Sequence, residues 1–223
     1  MRTFWMRMDP TRHGPCAVTD SLWYDRVSYL AFRGGLIRKT AISGAIALIG
    51  MASVLNLNAG TLAGVTLPDT AQVGSTALVL NGLGLRTKYM IKVYVAGLYL
   101  PQKSSDPPAI IKADETKRIV MHFLHGASKS QMTDAFSESF SDNTPDAKKT
   151  MQAEIDRMLG ALESVKEGDE MVFTYVPDRG TTLAIRSEDK VTVPGQAFGQ
   201  MLFSVWLGPK PPNAGLKKGI LGQ

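Results

Sequence analysis

A chain of 223 residues, 44% hydrophobic and 20% charged, has the composition of a globular protein with a core of its own. The net charge of +5 belongs to the N-terminal quarter: seven Lys/Arg and three Asp/Glu precede Gly60, leaving 18 basic and 17 acidic residues after Ala59, so the basic footprint of a nucleic-acid binder is missing. The single cysteine, Cys16, excludes an internal disulfide and leaves residues 60–223 without thiolate chemistry.

No charged side chain occurs between Lys39 and Asp69, and residues 41–57 are dominated by Ala, Ile, Leu, Met, Val and Gly directly after Arg38 and Lys39. A basic start, an apolar middle and the small Ala59 read as a secretory signal over residues 36–59, with cleavage near Ala59-Gly60. The residues ahead of Arg38 are far more than a signal needs, so a start downstream of Met1, at Val27, Leu30 or Leu36, is expected. Residues 1–59 are thus a targeting region and 60–223 an exported, periplasmic domain with no lasting membrane span. The competing reading is an uncleaved anchor at 41–57, although Ser43, Gly44, Gly50, Ser53, Asn56 and Asn58 interrupt the ~20 apolar residues that a span requires.

Residues 73–100 read as extended structure, with Asn81-Gly82 as a hairpin turn and a Val/Ile/Tyr-rich strand over 89–100. Pro101, Pro107 and Pro108 break the pattern, with a short helix over 108–112 and a return to strand over 117–124. Ser128 and Gln131 form a capping-box pattern that starts a helix near Lys129, with Met132, Ala135, Phe136 and Phe140 at helical spacing. Thr144-Pro145-Asp146 signals a second helix, its inward face being Met151, Ile155, Met158, Leu159 and Leu162. Residues 171–176 and 181–187 flank the turn Pro177-Asp178-Arg179-Gly180, a short strand is expected over 190–193, and a helix over 196–207 ends at Gly208. This order predicts an α+β fold, an antiparallel sheet covered on one face by helices.

No phosphate-binding loop, HExxH or CxxCH pattern is present. His122 and His125, three residues apart on one strand, point to opposite faces and cannot share a metal, so none is expected. His125 shares a face with Ile119, Met121 and Phe123; it is either a hydrogen-bonded residue at a strand end or a ligand for a haem iron at the rim of an apolar pocket. Otherwise no cofactor is expected. Arg86, after the Asn81 to Leu85 segment, is the cation best placed to grip a carboxylate or phenolate.

Three separated motifs carry a resemblance: Asn81-Gly-Leu-Gly-Leu-Arg86; residues 92–100, Lys-Val-Tyr-Val-Ala-Gly-Leu-Tyr-Leu; and residues 203–211, Phe-Ser-Val-Trp-Leu-Gly-Pro-Lys-Pro, with the Leu-Lys-Lys-Gly-Ile-Leu-Gly of 216–222. Together they resemble the chalcone isomerase-like family, most closely its bacterial exported branch, over residues 65–222. The resemblance implies an open-faced β-sandwich with an apolar cleft between sheet and helices. Plant chalcone isomerases stabilise a phenolate and a developing enolate with an Arg, a Thr, a Tyr, an Asn and a further polar residue. Here Arg86 matches the arginine, while Tyr94 replaces the threonine, Met132 the tyrosine, Ser139 the asparagine and Val205 the last polar residue. Lost charge-stabilising groups are typically worth ~10²-fold or more each in rate, so chalcone isomerisation is not expected.

The resemblance therefore implies a non-catalytic binder of a small apolar ligand with an acidic head, of the fatty acid or haem class. Arg86 and Tyr94 would hold the head, with Met132, Phe136, Ser139, Met201, Val205 and Trp206 around the cleft. The alternatives are an isomerase of the intramolecular lyase type using Arg86 and Tyr94 on a phenolic or enone substrate, and a partner-binding role for the tail after Pro209.

Overall fold

The computed structural model describes residues 59–223. The expected signal before Ala59 and the alternative anchor at 41–57 lie outside the described residues. Within them, no helix is long and apolar enough to cross a membrane.

Nine strands and six helices follow one another as β1 (Ala59–Leu62), β2 (Val65–Pro68), β3 (Thr70–Val73), β4 (Thr76–Lys88), β5 (Ile91–Leu100), α1 (Pro107–Lys112), β6 (Lys117–Phe123), α2 (Lys129–Asn143), α3 (Pro145–Thr150), α4 (Gln152–Gly160), β7 (Glu170–Val176), β8 (Gly180–Ile185), β9 (Glu188–Val193), α5 (Gln196–Leu207) and α6 (Ala214–Ile220). Strands β3 to β9 make one antiparallel sheet in sequence order, and β1 and β2 form a separate hairpin. The α+β expectation holds. Neighbouring strands pair by short connections, whereas the helices come from the two long excursions and from the C-terminus, and collect on one face.

That face carries the main core. Alternation along β5 sends Tyr94, Ala96, Leu98 and Leu100 into it, where they meet Met132, Phe136 and Phe140 of α2 and Phe198, Leu202, Val205 and Trp206 of α5. Every residue from Met201 to Leu207 is buried, as expected of a largely apolar helix end enclosed between the sheet and other helices, and the one polar residue among them, Ser204, donates to the Gln200 carbonyl at 2.7 Å. On the opposite face Val95 packs with Val65 and Leu67 of the β1–β2 hairpin, and Tyr99 with Leu78 and Leu80, so that face is partly roofed by the N-terminal strands.

The capping box at Ser128 forms as its sequence predicts: Ser128 Oγ accepts from the Gln131 backbone N–H at 3.2 Å, and Gln131 Oε1 accepts from the Ser128 N–H at 2.8 Å. The helix expected after Thr144 is interrupted. It breaks into α3 and α4 at Met151, whose φ of −119° and ψ of 36° lie outside the helical basin. The Thr144 hydroxyl does not cap α3 but donates back to the Phe140 carbonyl. Ile155, Met158 and Leu162 are buried as expected, whereas Met151 and Leu159 are only half-buried.

The reading of Asn81-Gly82 as a hairpin turn is overturned, for β4 runs straight through it and the chain turns at Tyr89-Met90. Asn81 is buried, donating through Nδ2 to the Ile220 and Ser104 carbonyls at 2.8 and 3.0 Å and accepting from the Ser104 N–H at 2.8 Å. Gly82 and Gly84 are required for close approach. A Cβ on Gly82 would lie 2.2 Å from the Gly219 carbonyl oxygen, and one on Gly84 would lie 2.2 Å from that of Leu216. They let α6 lie directly on β4, burying Leu216 and Ile220 completely. The segment after Pro209 is therefore part of the fold rather than a free tail.

Candidate functional site: a cleft between the sheet and two helices

Arg86 reaches the helical face because of a β-bulge. Leu80 pairs with Tyr99, yet Gly82 pairs with Leu98, so Asn81 is an extra residue in β4. Leu78 and Leu80 face the β1–β2 side, and after the bulge Gly82, Gly84 and Arg86 face the helices. Without the extra residue, strict alternation would turn Arg86 to the opposite face. A second irregularity, between the Arg86–Tyr94 and Thr87–Lys92 pairs, leaves Val93 unpaired and closes the ladder just beyond the site. Arg86 and Tyr94 are direct cross-strand partners, so their side chains stand side by side on the same face.

Above them opens a cleft of about 530 Å³, within the ~300–1,000 Å³ range usual for small-molecule sites. Its apolar wall comes from Met121 and Phe123 of β6, Met132 and Phe136 of α2, and Val205 and Trp206 of α5. The mouth carries Lys88, Tyr89 and Ile91 from the β4–β5 hairpin, Ser139 and Asp142 from α2, His125, and the loop Lys210-Pro211-Pro212. Arg86, Tyr94, His125, Met132, Phe136, Ser139, Val205 and Trp206 all line this one cleft, whereas Met201, also expected in its wall, is not among the lining residues and is buried in the main core instead.

Tyr94 is the polar group at the cleft's base. It is 7% exposed, its ring packs 5.7 Å from that of Phe123, and its hydroxyl oxygen accepts from Trp206 Nε1–H at 3.2 Å. Because indole only donates, the Tyr94 hydroxyl proton stays free: among the described residues none accepts it. Burial pushes the phenol up to about 12, against smaller opposing effects from the Trp206 hydrogen bond and the Arg86 charge. Tyr94 is therefore a neutral donor throughout the physiological range.

This shift has a consequence for stability. The unfolded phenol ionises near 10 while folded Tyr94 holds its proton until about 12, so the stabilisation is complete below pH 10 and is lost as pH rises through 12. Urea unfolding between pH 9 and 12 should show the wild type losing ~2 kcal/mol more than Tyr94→Phe. Parallel curves for the two proteins would mean that Tyr94 is not shielded from water.

Arg86 is half-buried, and its Nη1 donates to the Pro212 carbonyl and, at 3.0 Å, to that of Thr87. Its Nε and Nη2 have no hydrogen-bond acceptor among the described residues, so one edge of the guanidinium remains able to grip an anion. The loop that holds it is itself tied to α2, because Asn143 donates to the Lys210 carbonyl at 2.9 Å and accepts from the Lys210 N–H at 2.8 Å. The sequence suggests a tail from Pro209 to Gln223, and this support depends on the distant Asn143. Its one local signal was the Pro-rich exit from α5.

Ser139 is at the mouth but occupied, with its hydroxyl and carbonyl both accepting from Asn143 Nδ2. The expectation that His122 and His125 share one strand is overturned, because β6 ends at Phe123 and only His122 is on it. His122 pairs with Glu170 at 3.2 Å outside the cleft, and His125 lies past the end of β6, exposed at the rim. Among the described residues no three His, Cys, Asp or Glu side chains converge as a metal site.

The family described as chalcone isomerase-like matches residues 59–222. No curated protein matches the chain. Among solved structures, a fatty-acid binding protein of Arabidopsis thaliana superposes with a TM-score of 0.59 at 14% identity, covering 74% of this chain and 96% of its own. At that identity the likeness speaks for the fold alone.

Proposed function

The chain belongs to the chalcone isomerase-like family, and on that premise we propose that it is a non-catalytic binding protein for a long-chain carboxylate, a fatty acid or a close relative. One observation carries the reading. The half-buried Arg86, with a free guanidinium edge, and the buried Tyr94, with a free hydroxyl proton, are cross-strand neighbours lining a cleft whose walls are largely Met and aromatic side chains. Two neighbouring donors on one face of the sheet suit the two oxygens of a carboxylate, and the apolar walls would take the chain. The fatty-acid binding protein from Arabidopsis, built on the same fold, supports this choice of ligand class. An intramolecular lyase would also need a group that moves a proton beside these two, and Met132 and Val205 occupy the positions where the resemblance would place further polar groups. The leader at 36–59 would deliver the domain to the periplasm, where ligand exchange with the envelope takes place.

Titration calorimetry with saturated fatty acids in vesicle-free buffer tests this. Affinity should rise about fourfold per added CH₂ until the cleft is full. Arg86→Gln should weaken binding by about 10–100-fold, and the methyl ester should bind as weakly to the wild type as the acid does to the variant. Equal affinities for acid and ester, unchanged in Arg86→Gln, would overturn the carboxylate reading. A Soret band from added haem, or turnover of a phenolic enone, would replace it with one of its rivals.

A further inference from the structure

The turn closing the β4–β5 hairpin works against its own sequence. Tyr89 and Met90 are its two central residues, with φ of 47° and 67°. Two successive left-handed residues are what Asn-Gly normally supplies, because bulky side chains are strained there. Yet this chain places two large apolar side chains at the tip, 88% and 99% exposed, followed by Ile91 at 48%, and these three are the exposed large hydrophobics of the described residues.

Their surroundings are basic. Lys88 and Lys92 flank the tip, both exposed, with the Lys88 ammonium 5.7 Å from the centre of the Tyr89 ring. Between Asp69 and Asp106 the chain has no acidic residue. The acids that face the hairpin, Glu138 and Asp142, stand across the cleft mouth on α2, and Asp142 is paired with Lys210 at 3.1 Å. Lys88, Tyr89 and Ile91 also line that mouth. A convex tip of three apolar side chains offers far less than the ~800 Å² per partner that a stable protein interface needs, but it fits a fluid that closes around it.

We propose that the β4–β5 tip docks the protein on an anionic lipid bilayer. Met90 and Ile91 enter the acyl boundary, Tyr89 lies at headgroup level, and Lys88 and Lys92 face the anionic headgroups. Docking there puts the cleft mouth on the bilayer surface, so that a fatty acid passes between membrane and cleft without crossing water. That last step rests on the proposed function, whereas the docking rests on the hairpin alone.

The test uses the full chain with Cys16→Ser and a single new cysteine carrying an environment-sensitive dye. Met90→Cys labels the tip, and Ser105→Cys labels an exposed position past the opposite end of β5. Because residues 41–57 are apolar and can bring the chain to vesicles by themselves, the readout is local. With phosphatidylcholine–phosphatidylglycerol vesicles, the dye at 90 should shift to the blue and be quenched by brominated acyl chains, and the dye at 105 should not. Adding Lys88→Glu and Lys92→Glu should raise the vesicle concentration at half-effect roughly tenfold. Absence of a shift at 90, equal quenching at 90 and 105, or equal response to pure phosphatidylcholine vesicles would overturn the proposal. So would a concentration-dependent dimer abolished by Met90→Ser in place of vesicle contact. Fatty-acid affinity in vesicle-free buffer is measured separately, so the docking and the binding reading fail independently.

Discussion

Gly84→Val is expected to destabilise the domain by about 3–5 kcal/mol. Any Cβ at this position lies 2.2 Å from the Leu216 carbonyl oxygen and 2.9 Å from its carbon. These are backbone atoms, so no rotamer change relieves the overlap and α6 must move away from β4. Leu216 and Ile220 are fully buried and Leu221 nearly so; burying each stabilises by ~1.5–3 kcal/mol, and displacing the helix forfeits a large part of that. The Asn81 hydrogen bond to Ile220 is lost in the same movement. Chemical denaturation measures the effect, with Gly160→Ala as a control, since a Cβ at that helical position meets nothing and alanine should be neutral or stabilising there. A loss below 1 kcal/mol for Gly84→Val would mean that α6 does not rest on the strand backbone.

Trp206→Ala should be comparably severe, at about 3–5 kcal/mol. The indole is 1% exposed and packs against Phe136, Phe173 and Phe203 with ring centroids 6.0, 5.7 and 6.4 Å away. Such aromatic pairs contribute beyond the area they bury. Truncation removes the shared member of all three pairs, opens the core into the cleft and deprives the Tyr94 oxygen of its donor. Trp206→Phe keeps most of the contact and loses only the N–H, so it should recover more than half of the lost stability. Denaturant midpoints and the near-ultraviolet dichroism of the cluster report both variants. If alanine proved as mild as phenylalanine, the indole would not be the centre of this core.

Tyr94, Phe136 and Trp206 carry both stability and shape. The burial that builds the core also pushes the Tyr94 phenol up to about 12, and Trp206 donates to its hydroxyl oxygen and leaves the proton free. A substitution that enlarges the cleft at Phe136 or Trp206 therefore changes fold stability and ligand fit together, whereas Arg86, anchored on a loop carbonyl, can be changed with less harm to the core.

Much of this was legible in the sequence because its causes are local. The capping box at Ser128, the largely apolar α5 and the turn at Pro177–Gly180 each follow from neighbouring residues choosing a backbone conformation or a burial pattern. The same local patterns, with the glycine and Trp-Leu-Gly-Pro motifs, determined the α+β class and the family. What the tertiary structure decided depends on residues far apart in the chain. Asn81-Gly82 has the chemistry of a turn, but burial of Asn81 against Ser104 and Ile220 and the approach of α6 keep it in a strand. One extra residue there sets the side of the sheet on which Arg86 emerges, a register effect that the pattern around Arg86 does not encode. The cleft, and the upward shift of the Tyr94 phenol within it, arise only when β4, β5, α2 and α5 come together, because desolvation and cross-element hydrogen bonds belong to the assembled fold and not to any one segment.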